Sequence, residues 1–399
     1  MSLLDSVHQL SISIAAEVVG WRRHLHANPE LSYQEFNTAK FVANTLRQIG
    51  LAPVEGIAET GIVALISGKN PSKKVIALRA DMDALPIEEV NIVEYASKNR
   101  GVMHACGHDA HTSSLLGTAK ILHAVKDKFE GTVKLIFQPG EEKNPGGASF
   151  MIKEGVLENP TPASIIGQHV MPLLPVGKIG FREGMYMASS DEIYLKVIGK
   201  GGHAAAPELT VDPVLIASHI IVALQQIISR NASPKQPTVL SFGKITGEGA
   251  TNIIPNEVNI AGTFRALDEG WRKEGLDKIQ KMAESLAAGM GGRCEVTISH
   301  GYPYLENNPP LTRNIRKFAE EYVGKENVVE LDLTLGSEDF AFYSHVIPAS
   351  FYRLGTRNEA KGITSYVHTP TFNIDEEALA IGPGLMAWMA IRELGNANV

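Results

Sequence analysis

The segment Gly101-Val-Met-His-Ala-Cys-Gly-His-Asp-Ala-His111 brings together the thiol of Cys106, the imidazoles of His104, His108 and His111, and the carboxylate of Asp109. Only Gly107 separates Cys106 from His108. That spacing lets a thiolate and an imidazole point at one locus on a tight backbone turn, which a bulkier middle residue would hinder. Soft sulfur beside borderline nitrogen suits a transition metal such as zinc, with nickel, cobalt or manganese as alternatives. The competing reading is a small buried cysteine next to surface histidines.

Other residues gain meaning only if they reach the same locus. Glu141 and Glu142 follow the rigid Pro139-Gly140 turn. Adjacent acids on a turn are usually there for solvation. Facing a metal they can divide the labour, one as ligand and the other as proton acceptor. His169 and His368 are each, taken singly, ordinary packing or surface histidines in a chain that has 13. His203 sits among glycines and alanines, with a plain turn as the alternative. Arg265 is either a surface charge or a carboxylate clamp, a task its planar fork suits. The chain has no G-x-S-x-G elbow, no G-x-x-x-x-G-K-[ST] loop and no H-E-x-x-H helix.

The elements that must position these groups alternate. Helical periodicity covers residues 7–27 and 35–49, and strands are expected at 63–67 and 75–78. The second of these strands runs into Arg79-Ala-Asp-Met-Asp-Ala-Leu-Pro86. A helix at 112–125 precedes a strand at 133–137 that leads to Gln138-Pro-Gly-Glu-Glu142, and the run 164–169 ends in His169. Strand, polar loop, helix, strand describes a mostly parallel α/β sheet with helices on both faces. Such sheets bind ligands at the carboxyl ends of their strands. From about residue 186 the order becomes strand 191–198, helix 212–229, strands 238–245 and 257–265, helix 271–290 and strand 294–300. That βαββαβ order is the ferredoxin-like split motif. The chain then returns to α/β texture, with a helix at 311–323, a strand at 351–354 and a last helix at 375–392. Two chain segments, 1–185 and 302–399, are thus expected to form one domain, with 186–301 inserted as a second.

Length and composition agree, since 399 residues exceed the usual single-core limit. A formal charge of -7 and pI near 6.0 argue against nucleic-acid binding. Two cysteines make no disulfide framework, and a reducing, cytoplasmic setting fits. Met1-Ser-Leu-Leu-Asp5 has no basic region ahead of its apolar residues, so no secretory signal is expected. No run looks long and apolar enough to span a bilayer, so no membrane partner is expected.

Six ordered motifs resemble one family: Arg79-Ala-Asp-Met-Asp-Ala-Leu-Pro86, His104-Ala-Cys-Gly-His-Asp-Ala-His111, Gln138-Pro-Gly-Glu-Glu142, Gly199-Lys-Gly-Gly-His-Ala-Ala-Ala-Pro207, Asn252-Ile-Ile-Pro255 and Gly336-Ser-Glu-Asp-Phe340. They are similar to the aminoacylase/carboxypeptidase-like metallo-amidohydrolases, in the branch with hippurate hydrolases, N-acetyldiaminopimelate deacetylases and plant indole-acetyl-amino-acid hydrolases. The resemblance spans nearly the whole chain. It implies two divalent metal ions (zinc, manganese, nickel or cobalt) held by Cys106, His108, Glu142, His169 and His368, with Cys106 as bridge. Glu141 would be the general base towards a metal-activated hydroxide and then the acid that protonates the leaving amine. Asp81 stands where the wider family has a histidine ligand, which leaves Asp81 and Asp83 in supporting roles.

The resemblance further implies that the inserted domain supplies His203 and Asn252 and makes a homodimer. His203 would polarise the scissile carbonyl, in its own or the partner subunit's active site, and Arg265 would pair with the substrate carboxylate. The expected substrate is a small N-acyl amino acid such as an N-acetyl or N-benzoyl derivative. A dipeptidase or carboxypeptidase with the same centre is the alternative, and a degenerate metal-dependent binding protein a more distant one.

Overall fold

The computed structural model describes residues 2–395, which divide into two compact units. Of these, the first comprises residues 2–186, 306–333 and 339–395; the second comprises Met187–Leu305 and Thr334–Glu338. The short return 334–338 belongs with the second unit, where Ala188 N donates to Gly336 O and Arg265 Nη1 to Ser337 Oγ.

An eight-stranded sheet organises the first unit. Its central strands are Thr132–Gln138, Val75–Asp81, Ile165–Pro175 and Ala349–Arg357, parallel in that spatial order. Antiparallel pairings flank them, with Gly61–Ser67 on one side and Ile179–Phe181 on the other. The sheet is therefore mixed, parallel in the middle where every position of Val75–Asp81 and Thr132–Gln138 is buried.

Helices Leu3–Ala27, His108–Ala124 and Ala378–Gly395 flank the sheet and pack on one another. The Trp21-Arg-Arg-His segment carries Arg22, which is fully buried. Its Nε donates to Asp109 at 2.8 Å, and the same carboxylate oxygen lies 2.7 Å from His26 Nδ1. Removing one partner of such a pair costs about 3–5 kcal/mol, because it strands a charge in the core. The first helix is thereby tied to the residue that follows His108.

The second unit has strands Asp191–Ile198, Val239–Thr246, Glu257–Arg265 and Arg293–His300, all antiparallel, with helices Pro213–Gln226 and Glu269–Gly289 between them. The connectivity is the expected βαββαβ. Two differences from the sequence reading stand out. Helix His108–Ala124 begins four residues earlier than expected, which places His108 and His111 on its first turn. Also, the stretch Pro213–Asn231 does have the length and composition to cross a membrane. While Val214, Leu215 and Val222 are exposed, Ile216, Ala217, Ile220 and Leu224 from it line the second unit's own core. Each such large aliphatic side chain contributes about 1.5–3 kcal/mol by burial.

Candidate metal centre

Cys106 and His108 are set by the residue between them. Gly107 has φ +87°, and a Cβ there would sit 2.5 Å from Val170 Cγ2. Only glycine can make this turn, which delivers a thiol just before a helix and an imidazole on its first turn. His169 lies inside its strand rather than after it, because Ile165–Pro175 runs beyond its parallel neighbours. Two residues beyond the Arg79–Gly167 pair, it comes level with Asp81. His368 adopts a left-handed backbone, φ +60°, with its N–H donated to Ala105 O at 2.7 Å. A non-glycine residue held there carries strain that its surroundings must offset.

These segments bring five donor groups together. Cys106 Sγ is 3.4 Å from His169 Nε2 and 3.3 Å from His368 Nε2. Glu142 Oε1 is 3.1 Å from His368 Nε2 and 3.9 Å from His108 Nε2. Two triads result, Cys106–His108–His169 and Cys106–Glu142–His368, and the thiol belongs to both. His108 Nε2 and Glu142 Oε1 are buried without hydrogen bonds; the His368 contact to Glu142 is close but not hydrogen-bonded. Sulfur, three imidazoles and a carboxylate facing one another, with His108 Nε2 and Glu142 Oε1 left unsatisfied, fit a pair of divalent cations.

The electrostatics agree. Burial, reinforced by the negative charges of Glu142, Glu141 and Asp81, pushes the Cys106 thiol well up, so a thiolate here needs a cation beside it. Burial holds the His169 imidazole well below its usual range, hence neutral and able to bind metal. For His108, burial lowers the pKa, but the charges of Asp81 and Asp83 override it and carry it to about 10. The pocket thus attracts positive charge, which a metal supplies in place of a proton.

The surrounding residues decide which ring atom is presented. Asp83 Oδ1 lies 3.2 Å from His108 Nδ1, which leaves Nε2 for a metal. The same carboxylate accepts Glu141 N at 3.0 Å and Glu142 N at 2.9 Å, so one buried acid orients a ligand and the turn that carries the other two acids. His169 Nδ1 donates to Val170 O at 2.7 Å and turns Nε2 towards Cys106. His111 is different. Its Nδ1 is 2.6 Å from Asp81 and its Nε2 accepts Val170 N at 2.8 Å, so neither nitrogen remains for a metal despite the proximity of Asp81 and His108. His104 stands apart from the donor set: burial lowers it to about 4, and neither ring nitrogen is hydrogen-bonded.

Glu141 is buried, with Oε2 3.9 Å from His108 Nε2. Behind the acids, Arg79 donates to Gln138, Asp81 and Asp339, which joins the ends of the two central strands to the Gly336-Ser-Glu-Asp-Phe340 motif. The sequence reading ends the strand at residue 78 and gives Arg79 no role; the strand runs to Asp81, so Arg79 is a charge buried within it.

In the second unit, strands Gly202–His203 and Ile253–Ile254 pair, with His203 opposite Ile253, so His203 and Asn252 share one ribbon. Both are exposed. His203 Nδ1 accepts Ala205 N at 3.0 Å, which places the neutral ring's proton on Nε2. Arg265 donates to Thr263 Oγ1 and Ser337 Oγ, and its Nη2 has no protein partner among the described residues.

A parallel-centred sheet with a thiol-bridged double set of metal donors and a buried acid beside it defines a metal-dependent hydrolase. Residues 77–391 match the family described as peptidase family M20/M25/M40, and the chain belongs to that family. It is 41% identical over 396 residues to thermostable carboxypeptidase 2 of Saccharolobus solfataricus, which spans 98% of this chain and 99% of that one. It is also 41% identical over 384 residues to the IAA-amino acid hydrolase ILR1-like 4 of Arabidopsis thaliana, covering 94% of this chain and 86% of the relative. Among solved structures, the Bacillus subtilis YXEP protein, a dinuclear metal binding peptidase of the M20 family, superimposes with a TM-score of 0.81 at 34% identity. That match covers 96% of this chain and 99% of the other.

Proposed function

We propose that this protein hydrolyses the amide bond of small N-acyl amino acids, releasing a carboxylic acid and a free amino acid. The observation that carries this reading is the pair of donor triads sharing Cys106 with Glu141 at their side. In it, Cys106, His108, Glu142, His169 and His368 hold two divalent cations, zinc, manganese, nickel or cobalt. Such a pair, when bound, supplies Lewis acidity and lowers the pKa of the attacking water.

The chain's own groups do the rest. Glu141 accepts the water proton and later delivers it to the departing nitrogen, a shuttle its neighbour Glu142 cannot perform while binding metal. His203, with its proton on Nε2, donates to the carbonyl oxygen as negative charge builds there. Asn252 assists from the same ribbon. Arg265 has a free arm of its guanidinium for the substrate's carboxylate, a bidentate partner by geometry.

A homodimer through the second unit belongs to this reading. Leu215 and Val222 on helix Pro213–Gln226 are 51% and 73% exposed, and Val239–Thr246 is an edge strand with one neighbour. The free Cys106 and Cys294 suit a reducing compartment such as the cytoplasm. A second reading, carboxypeptidase or dipeptidase, is favoured by the carboxypeptidase named among the relatives. Product release measured over N-acetyl, N-benzoyl and dipeptide substrates with metal-reconstituted protein separates the two. Faster turnover of dipeptides than of every N-acyl amino acid would overturn the first.

A further inference from the structure

The segment Glu30-Leu-Ser-Tyr-Gln-Glu35 contributes no metal donor, yet three of its side chains converge on the turn that carries Glu141 and Glu142. Ser32 Oγ donates to Asp83 Oδ2 at 2.6 Å. Tyr33 Oη donates to Lys143 O at 2.9 Å, from a backbone held at φ +64°. Glu35 Oε1 accepts Gly140 N at 2.8 Å. The amides of Gly140, Glu141 and Glu142 are consequently all bound by two buried carboxylates, Glu35 for the first and Asp83 for the other two. Gly140, at φ +60°, has no room for a side chain, since a Cβ there would lie 2.3 Å from the Tyr33 ring.

Glu35 precedes helix Phe36–Ile49, and the ordinary explanation for an acid there is helix capping. The structure assigns that task elsewhere. Glu35 makes no side-chain capping bond, whereas Glu30 accepts Asn37 N at 3.2 Å and Thr38 N at 2.8 Å. Glu35 is fully buried, and among the described residues no Lys or Arg pairs with it. Its acceptors are used on Tyr33 N, Thr60 Oγ1 and Gly140 N, at 2.9, 2.9 and 2.8 Å. Burial first, then the Asp83 charge, raises its carboxyl to about 7. A carboxyl is an expensive group to keep in such a place.

We propose that Glu35 is a positioning residue for hydrolysis, holding the Gly140 amide so that the turn keeps Glu141 at the height its proton transfers require. The proposal rests on the assignment of Glu141 as the base. Glu35 touches neither substrate nor metal; it acts through the turn. Small displacements of a proton-transfer group are costly in rate, on the order of 10²-fold for about 1 Å.

The test is steady-state kinetics on the full chain with saturating metal, with bound metal and melting temperature measured for each variant. Glu35→Ala is expected to lower kcat by about 10-fold to 10²-fold with KM and metal content little changed. Glu35→Gln keeps an acceptor for Gly140 N and an amide that can donate to Thr60, and should recover most of the loss. A purely structural role would lower the melting temperature and leave kcat per metal-loaded site at the wild-type value; that result would overturn the proposal, as would Glu35→Gln failing as badly as Glu35→Ala. Should Glu35→Ala not fold, Glu35→Asp and Thr60→Val decide. Reduced kcat in both supports positioning, and wild-type kcat in either rejects it. Glu141→Gln is assayed in parallel. If that variant turned over normally, the assignment of the base would fail; if it were inactive while Glu35→Ala was normal, only the positioning role would.

Discussion

The donor cluster of the first unit and the polar residues of the second are built on different principles. Around the cluster, nearly every atom that is not offered to a metal is used. Asp83 holds His108 and two turn amides, Val170 O holds His169, and Ala105 O holds the backbone of His368. The geometry of such a site is maintained by hydrogen bonds of the surrounding layer. In the second unit, His203 is exposed and keeps one backbone contact to its ring, and Arg265 is steadied by two hydroxyls. Preorganisation is invested where charge must be concentrated. The groups proposed to recognise a carbonyl or a carboxylate keep donors without a partner among the described residues.

The strongest way to break this contrast is to remove the metal. Chelation is expected to abolish activity while circular dichroism and melting show a folded protein, because the outer hydrogen bonds remain; added divalent transition metal should restore turnover. Full activity in protein shown by elemental analysis to be metal-free would end the metal reading. Next in size is the division between the paired acids. Glu141→Gln should retain its metal and lose at least about 10²-fold in kcat, the scale of a lost general acid–base group. Glu142→Gln should instead lose metal. A reversal of these two phenotypes would exchange the roles.

For the open set, His203→Ala should lower kcat by roughly 10²-fold to 10³-fold, as for removal of one donor to a developing oxyanion. If the dimer places His203 over the partner's cluster, mixing His203→Ala with Glu141→Gln under subunit exchange rebuilds one site per hybrid and returns activity. No recovery, with exchange demonstrated by native mass spectrometry, would confine His203 to its own subunit. Arg265→Lys keeps the charge but not the fork, and is expected to raise KM by about 10-fold with kcat nearly unchanged. A change in kcat alone would place Arg265 at the reacting bond instead.

The smallest effect concerns stability. Glu35 is raised to about 7 by burial and by the Asp83 charge, above the ordinary 4.5 of a glutamate. The folded state therefore holds this proton more tightly than the unfolded chain. The stabilisation is complete below pH 4.5 and is lost as pH rises through 7, on the order of 3 kcal/mol at most. Denaturant titrations across that window should show the slope in wild type and a flatter profile in Glu35→Gln. An unchanged slope would mean that the carboxyl does not titrate there.

Much of this was legible in advance because it is local. Apolar runs bounded by glycine and polar loops marked the central strands, and the Cys106-Gly-His108 spacing announced a turn that only glycine can make. The early start of helix His108–Ala124 was not legible, since Gly107 caps it without any side-chain bond. The short strands Ile179–Phe181 and Val328–Glu330 are too short to show an alternation of their own, and pairing in register creates them.

The sequence alone determined the family, the order of the elements and the residue types able to bind metal and move a proton, because these depend on neighbours along the chain. Only the tertiary structure decided how those residues are used. It spent both nitrogens of His111 on Asp81 and Val170, left Nε2 of His108 open, and set Cys106 within reach of His169 and His368. It also showed Asp83 and Glu35 dividing the amides of one turn between them. Which lone pair of a side chain remains free depends on partners that are distant in sequence, and folding alone brings those partners within hydrogen-bonding range.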